Sequence, residues 1–286
     1  MKSSHTLIQQ AVPIGSTFYY ATLFCTAQNT KQGLWALFAL QQLLSSIPYR
    51  SNEPNVVTSQ FAWWNDEINL WFQGKPRHPI TQVLKASVPQ ALFSQADVVG
   101  FIEALSQRSQ NPSFESLAQL KAFHQQTKGQ FQQLASKIIT EENNSTQQFA
   151  QHLGVALGLV NNIIYLGHDL THGQLYLPEQ TLATFEVAIE DLQLGQPPSL
   201  NLIRLLQYLS QCAKQEYTQA LNCLTDIEHT VPLFQLIQAK IEFALLHEIE
   251  IGHFKVLSQT TDLTPLRKLW LAWSVKRNAR KYYKTC

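Results

Sequence analysis

Residues 161–178 read NNIIYLGHDLTHGQLYLP and lead a long apolar segment into a turn. In that segment the apolar residues recur at helical spacing: Phe149, Leu153, Ala156, Val160 and Ile163. This spacing predicts an amphipathic helix over 146–165 with one face in the core. Gly173 predicts the end of the helical part, because glycine commonly follows the last turn of a helix.

Apolar residues recur at helical spacing through most of the chain, whereas alternating β-branched runs are scarce. A second clear stripe, which ends at Gly74, consists of Phe61, Trp64, Ile68 and Trp71. No Ser/Gly-rich linker or low-complexity block divides the segments. We therefore predict an all-α fold with a single domain over 1–286 that ends in a basic helix over 266–286.

The composition limits the functions that this chain can have. It has 286 residues, of which 45% are apolar and 14% are charged. Each aspartate is separated from the next by more than twenty residues: Asp66, Asp97, Asp169, Asp191, Asp226 and Asp262. This isolation excludes an EF-hand loop and other carboxylate clusters that are local in sequence.

Charge is distributed unevenly along the chain. The last twenty residues contain seven of the 21 Lys and Arg residues and none of the 20 acidic residues. The rest of the chain is therefore mildly acidic, which argues against a nucleic-acid partner.

The cysteines and the apolar segments indicate the compartment. Four cysteines without paired spacing predict a reducing environment, and the first residues lack the pattern of a secretory signal. The most apolar stretch, 153–166, is interrupted by two asparagines and is shorter than the ~20 residues that a membrane span requires. We expect a cytoplasmic protein, at most peripheral to the inner face of a membrane.

Four strings are distinctive in their order and spacing: STFYYATLF at 16–24, LWALFAL at 34–40, RHPI at 77–80 and the stretch at 161–178. Together they resemble the squalene/phytoene synthase family, whose members join two prenyl diphosphates head to head. The resemblance covers nearly the whole chain. It implies the isoprenoid synthase fold, in which helices surround a largely apolar central cavity.

Family members hold Mg²⁺ between two Asp-rich helical segments, and the metal binds the diphosphate oxygens. The resemblance places Ser45, Ser46 and Tyr49 at the carboxylate positions of the first segment. The first motif is therefore degenerate, because none of these side chains supplies a metal-binding charge.

The second motif keeps one carboxylate. Asn161 and Asp169 match the family pattern, according to the resemblance. Tyr165 and His168 replace acidic residues. The family's arginines are replaced as well, at Ile164, Thr171, His172 and Gln174.

The resemblance leaves two functions open. The loss of charge favours a relative that no longer carries out Mg²⁺-dependent prenyl transfer and acts, without a cofactor, as a binding or assembly protein. The physical reason is that uncompensated burial of a charge costs on the order of several kcal/mol. In this respect the chain is similar to the mitochondrial assembly factors for respiratory complex I, so we expect a protein partner. The alternative is a divergent but active prenyltransferase that binds Mg²⁺, with these catalytic residues: Asp169, His168, Asn161 and Tyr165.

Two histidine patterns suggest a metal site. His168, Asp169 and His172 form H-D-x-x-H, a spacing at which a helix can bind Zn²⁺. Gly173 follows at once, so the string also fits a helix end, where a histidine interacts favourably with the helix dipole. A second set at three-residue spacing consists of His247, Glu250 and His253. Without a third identified ligand we predict no metal site.

Aromatic and small residues are candidates for the wall of the cavity. Phe18, Tyr19 and Phe38 are the aromatic candidates, and an isoprenoid or lipid tail is the ligand that they would fit. Ordinary core packing is the alternative for these side chains. Gly154 and Gly158 are further cavity candidates, although their spacing also permits close approach of a neighbouring helix backbone.

The C-terminal segment combines Trp270 and Trp273 with many Lys and Arg residues. Peripheral membrane helices have this composition, which predicts a membrane contact through 266–286. A solvated helix whose tryptophans pack on the body is the alternative.

Overall fold

The structure, a computed structural model, describes residues 4–51, 53–110, 113–140, 143–224 and 232–279. The α-helices are α1 (Ser4–Ala11), α2 (Thr17–Ala21), α3 (Gln28–Ser45), α4 (Ile47–Arg50), α5 (Pro54–Phe72), α6 (Pro79–Ser87), α7 (Gln95–Gln110), α8 (Leu117–His124), α9 (Gln130–Ile139), α10 (Asn144–Ile164), α11 (Leu166–Thr171), α12 (Glu179–Thr184), α13 (Leu200–Asn222), α14 (Leu233–Ile251) and α15 (Pro265–Asn278). A π-helical turn, Gln125–Gly129, joins α8 to α9. No strand occurs in the described ranges, and the prediction of an all-α fold is confirmed.

Helix α10 lies at the centre of the fold and packs against α13, α9 and α14. The stripe that the sequence predicts is fully buried: Phe149, Leu153, Ala156, Val160 and Ile163. The helix ends at Ile164 with Tyr165 as its C-cap, and the chain continues as the short α11. His168 and Asp169 therefore lie on a separate short helix, and His172 is its C-cap.

Helix α5 also follows its predicted stripe, because its apolar residues are buried: Phe61, Trp64, Ile68 and Trp71. Glu67 lies among them and explains the turn before α6. Its Oε1 accepts hydrogen bonds from the backbone N–H groups of Arg77 and His78 at 2.9 and 2.8 Å. His78 in turn accepts the N–H of Ile80 through Nδ1, so the RHPI string caps the start of α6.

Gly154 and Gly158 bring α10 close to the segment that contains α8 and the π-helical turn. A Cβ on Gly154 would lie 2.3 Å from the Cα of Gly129, and a Cβ on Gly158 would lie 2.4 Å from the ring of His124. The close helix approach is confirmed. An added Cβ at either glycine would meet protein atoms, and the assignment of both glycines to the cavity wall stays a prediction.

The aromatic cavity candidates divide into two kinds. Phe18 is buried, stacks on Phe38 at 3.9 Å between ring centroids and contacts the edge of Phe234 at 5.0 Å. Phe18 is therefore part of the core, and its assignment to the cavity wall stays a prediction. Phe38 and Tyr19 remain half-buried, and their assignment stays a prediction.

One continuous core connects helices from α1 to α15. The organisation of 1–286 as one domain stays a prediction, because parts of that range lie outside the described residues. The same applies to the last residues of the predicted basic helix, 280–286. None of the described helices is long and apolar enough to cross a membrane.

Candidate functional site

The two predicted motifs meet at Tyr49 and Asp169. Tyr49 lies on α4, directly after α3, and Asp169 lies on α11. The Tyr49 hydroxyl group donates a hydrogen bond to Asp169 Oδ1 at 3.1 Å. Ser46 does not take part in this contact, because its hydroxyl group donates a hydrogen bond to the carbonyl oxygen of Leu43 at 2.8 Å. Ser45 is half-buried at the end of α3. The one retained carboxylate thus faces a phenol from the degenerate first motif.

Tyr176 and Arg108 complete this group, which we name the Tyr49–Asp169 cluster and define as Tyr49, Arg108, Asp169 and Tyr176. The hydroxyl groups of Tyr49 and Tyr176 lie 3.4 Å apart. Arg108 is only 5% exposed, and its guanidinium carbon lies 4.8 Å from the ring centroid of Tyr176. Its Nη2 donates to the carbonyl oxygen of Leu175 at 3.1 Å. The buried guanidinium is therefore held by an aromatic face and a carbonyl group near the carboxylate.

His168 and His172 lie beside Tyr49. The His172 ring contacts Tyr49 edge to face at 5.3 Å, and the two histidine rings are 4.6 Å apart. His168 Nδ1 lies 3.6 Å from Asp169 Oδ1, while His172 Nδ1 lies 2.9 Å from the carbonyl oxygen of His168. The histidines thus pack on the cluster. In the part of the chain that the structure describes, no three His, Cys, Asp or Glu residues gather as metal ligands.

The second histidine pattern, His247, Glu250 and His253, is divided by the end of α14: His247 and Glu250 lie on the helix, and His253 follows it. Glu250 accepts hydrogen bonds from Ser210 and Lys214 of α13 at 2.5 and 2.6 Å. His247 Nδ1 lies 3.7 Å from the other carboxylate oxygen of Glu250. His253 lies beyond the last residue of α14, with a φ of 58°. Glu250 therefore connects α14 to α13, and His253 does not share the helix face of His247 and Glu250.

Burial controls the charge state of the cluster. It raises the pKa of Asp169, against the effect of the hydrogen bonds from Tyr49 and His168. Burial also raises the pKa of Tyr49 above its usual range, and Tyr176 and Asp169 add to this rise. Tyr49 is therefore a neutral donor and Asp169 is the acceptor.

We expect Tyr49→Phe to lower the free energy of unfolding by about 1–2 kcal/mol at pH 8, because a carboxylate loses its hydrogen-bond donor. The loss should shrink at pH 4, since a protonated Asp169 depends less on that donor. Urea unfolding at both pH values measures the effect. Tyr165→Phe is the control and should cost less than about 0.5 kcal/mol, because Tyr165 is 50% exposed. Equal losses for the two variants would contradict a specific role of the hydrogen bond.

Two ionisable residues that the sequence analysis missed lie near the cluster. Lys128 lies on the π-helical turn and Glu242 lies on α14. Both side chains are half-buried. Burial is nevertheless the main cause of their pKa shifts: it lowers the pKa of Lys128 and raises the pKa of Glu242 to about 7. Tyr165 combines the same properties: it is 50% exposed, and burial, Glu242 and then Asp262 and Asp169 raise its pKa to about 12. These three residues therefore combine accessible side-chain surface with surrounding protein that disfavours their charged forms.

A chain of buried amides leads to Glu242 between α9 and α14. Gln235 Nε2 donates to Gln132 Oε1 at 3.1 Å, and Gln132 Nε2 donates to Gln238 Oε1 at 3.0 Å. Gln238 Nε2 then donates to Glu242 Oε1 at 2.8 Å. The other carboxyl oxygen, Oε2, is buried without a hydrogen-bond partner among the described residues. Glu242 is thus held in place on one side only.

Asn161 and Asn162 have different surroundings. Asn161 is half-buried on the side of α10 that also carries Tyr165. Asn162 is buried, and its Nδ2 lies 2.8 Å from Nε2 of His124 on α8. Burial, with a smaller effect of Lys128, lowers the pKa of His124 to about 3, so this histidine is neutral and accepts the bond. Asn161 is the residue that matches the family pattern, whereas Asn162 makes the contact between helices.

The residues of the cluster do not fit Mg²⁺. This ion requires near-octahedral oxygen ligands and is usually held by one or two carboxylates together with substrate phosphates. Asp169 is the only carboxylate of the cluster, and its Oδ1 already accepts the Tyr49 hydroxyl group. The first motif adds no carboxylate, since its positions hold Ser45, Ser46 and Tyr49.

Comparison with known proteins agrees with this architecture. The solved structure of a dehydrosqualene synthase in complex with ligand superposes with a TM-score of 0.85, covering 98% of this chain and 97% of the other at 18% identity. This similarity shows the fold, which is that of an isoprenoid synthase.

Curated relatives include a chloroplastic phytoene synthase of Cucumis melo, 21% identical over 63% of this chain and 44% of its own length. A Dictyostelium discoideum protein named NADH dehydrogenase (ubiquinone) complex I, assembly factor 6 homolog is 20% identical over 59% of this chain and 48% of its own length. The alignments thus span just under half the length of these two relatives. The family model for squalene/phytoene synthase matches residues 13–268, and the chain belongs to that family.

Proposed function

We propose that this chain is a squalene/phytoene synthase family member that does not join prenyl diphosphates and acts as a binding or assembly protein. The observation that carries the proposal is the hydrogen bond between Tyr49 and Asp169 at 3.1 Å. A phenol from the first motif occupies the acceptor oxygen of the single carboxylate that the second motif retains. The two motifs therefore contact each other directly.

Electrostatics supports the same function. A prenyl diphosphate brings several negative charges, which require metal ions and arginines in an enclosed site. Burial raises the pKa of both Glu242 and Asp169, so their surroundings disfavour negative charge. Arg108 is held against Tyr176 and the carbonyl oxygen of Leu175. An anionic ligand would face these acidic groups without a metal to offset the repulsion.

An uncharged isoprenoid or lipid tail is the ligand that suits this interior. Phe38 and Ile164 are half-buried on the helices that carry the two motifs, and Tyr165 adds a half-exposed ring. These side chains offer apolar surface, while Glu242 and Lys128 offer polar groups for an uncharged head such as a hydroxyl or carbonyl group.

An assembly role with a protein partner is the form of function that the Dictyostelium relative suggests, because its name describes a complex I assembly factor. A partner within a respiratory complex is accordingly part of the proposal. The similarity to this relative supports such a partner.

The decisive experiment incubates the purified full chain with farnesyl or geranylgeranyl diphosphate and Mg²⁺ and measures release of pyrophosphate. We expect no release above a protein-free control, while a dehydrosqualene synthase serves as the active reference. Calorimetric titration should give heat of binding with farnesol and none with farnesyl diphosphate.

Turnover that is lost in Asp169→Ala would overturn the proposal and establish the alternative, a divergent Mg²⁺-dependent prenyltransferase. In that case His168, Asn161 and Tyr165 are the next residues to replace. If the chain shows neither turnover nor farnesol binding, the isoprenoid ligand is excluded from the proposal. The function would then depend on protein contacts alone.

A further inference from the structure

Helix α15 has one face that attaches it to the body. The residues of this face are buried: Lys268, Leu271, Ala272 and Val275. The helix packs on α14 and α2. Lys268 Nζ donates to the carbonyl oxygen of Gly15 at 3.1 Å and to Asp262 at 2.8 Å. This face anchors α15 firmly and leaves its opposite face directed away from the core.

The opposite face of α15 is apolar as well. Its apolar residues recur at positions that lie one above another on a helix: Leu266, Leu269, Trp270 and Trp273. Leu266 is 79% exposed, Trp270 is 61% exposed and Trp273 is 48% exposed. The alternative in which the two tryptophans pack on the body is therefore wrong. A solvated helix normally turns polar residues outward, so an apolar outer face indicates an interaction surface.

The charges at the edges of this face are positive. Lys276 Nζ lies 4.3 Å from the ring centroid of Phe24, and the Arg277 guanidinium lies 5.2 Å from that of Trp273. Among the described residues, neither Lys276 nor Arg277 forms an ion pair with an acidic side chain. The sequence after α15 adds Arg280, Lys281 and Lys284, and residues 267–286 contain no acid.

We propose that α15 docks in the plane of a membrane surface that contains anionic lipids. Tryptophan and leucine side chains on one face favour burial at the boundary between headgroups and acyl chains. Unneutralised Lys and Arg residues favour a negatively charged leaflet, which repels the mildly acidic remainder of the chain. Apolar and basic signals together meet the requirement of two signals for stable anchoring. This inference is independent of what the interior binds.

The experiment uses the full chain and vesicles of phosphatidylcholine with or without phosphatidylglycerol, followed by sedimentation. Binding should require phosphatidylglycerol and weaken as salt concentration rises. The variant Trp270→Ser/Trp273→Ser should bind at least about tenfold more weakly, because two large apolar groups are lost. Lys276→Gln/Arg277→Gln should bind about thirtyfold more weakly, since each basic residue contributes about 1 kcal/mol near such a surface.

Trp63→Ser is the matched control, because Trp63 on α5 is 47% exposed and lies outside α15. It should bind vesicles as the unchanged chain does. Circular dichroism establishes that every variant is folded. Equal binding of Trp270→Ser/Trp273→Ser and the unchanged chain would overturn the proposal, as would no binding of the unchanged chain to anionic vesicles. Self-association that depends on the two tryptophans, without vesicle binding, would assign the face to a second copy of the chain instead.

Discussion

Gly154→Ala is expected to lower the free energy of unfolding by about 4 kcal/mol, a large share of the stability of an ordinary domain. The added Cβ would lie 2.3 Å from both the Cα and the backbone nitrogen of Gly129 and 2.5 Å from the carbonyl carbon of Lys128. Backbone atoms cannot rotate out of the way as side chains can. The clash is relieved only if α10 moves away from the π-helical turn. This movement would separate α10 from the turn that carries Lys128.

Gly100→Ala is the matched control, because Gly100 lies inside α7 and a Cβ there would meet no atom within 4 Å. Alanine should stabilise this position by about 0.5–1 kcal/mol through its higher helix propensity. Urea unfolding of both variants, monitored by circular dichroism, makes the comparison. A Gly154→Ala protein with unchanged stability would mean that the helices do not approach each other as closely as the structure indicates.

These glycines also illustrate what can be predicted from the sequence. The spacing of Gly154 and Gly158 predicts a close helix contact, because only a missing Cβ permits backbones to approach so closely. The partners of the contact, Gly129 and His124, are not predictable, because nothing local to α10 identifies them. The apolar stripes of α5 and α10 are predictable for a related reason, since burial of one helix face is recorded in the periodicity itself.

The candidate site was only partly predictable. The resemblance identifies Tyr49 and Asp169 separately, but their hydrogen bond depends on how α4 and α11 meet in space. Lys128 and Glu242 carried no motif at all. One signal was available: Glu242 interrupts the apolar residues of α14, and a charged residue inside such a run is rarely buried without a reason.

Glu242→Gln is expected to make the protein more stable at pH 8 and to leave its stability almost unchanged at pH 4. Burial raises the pKa of Glu242 from 4.5 to about 7, although the hydrogen bond from Gln238 and the charge of Lys128 oppose this rise. Below pH 4.5 the carboxyl group is neutral in both the folded and the unfolded chain. As the pH rises through 7, ionisation of Glu242 favours the unfolded chain. The stability that the neutral carboxyl group contributes at low pH is then lost.

The expected gain in Glu242→Gln at pH 8 is about 3 kcal/mol, since each pKa unit corresponds to about 1.4 kcal/mol. Urea unfolding between pH 4 and pH 8 measures it, and Gln238 can still donate to the new amide oxygen. Glu248→Gln on the same helix is the control: it removes the 2.6 Å ion pair with Arg267 and should cost at most about 1 kcal/mol at pH 8.

The outcome at Glu242 also bears on function, because a carboxyl group that is neutral in the folded protein indicates an interior unsuited to negative charge. A prenyl diphosphate bound there would raise the pKa of Glu242 further and would be repelled once the group ionised. An uncharged isoprenoid would meet a neutral hydrogen-bonding group instead. If Glu242→Gln and Glu248→Gln gave the same pH dependence, Glu242 would be an ordinary solvated acid, and the interior could hold charged ligands as readily as neutral ones.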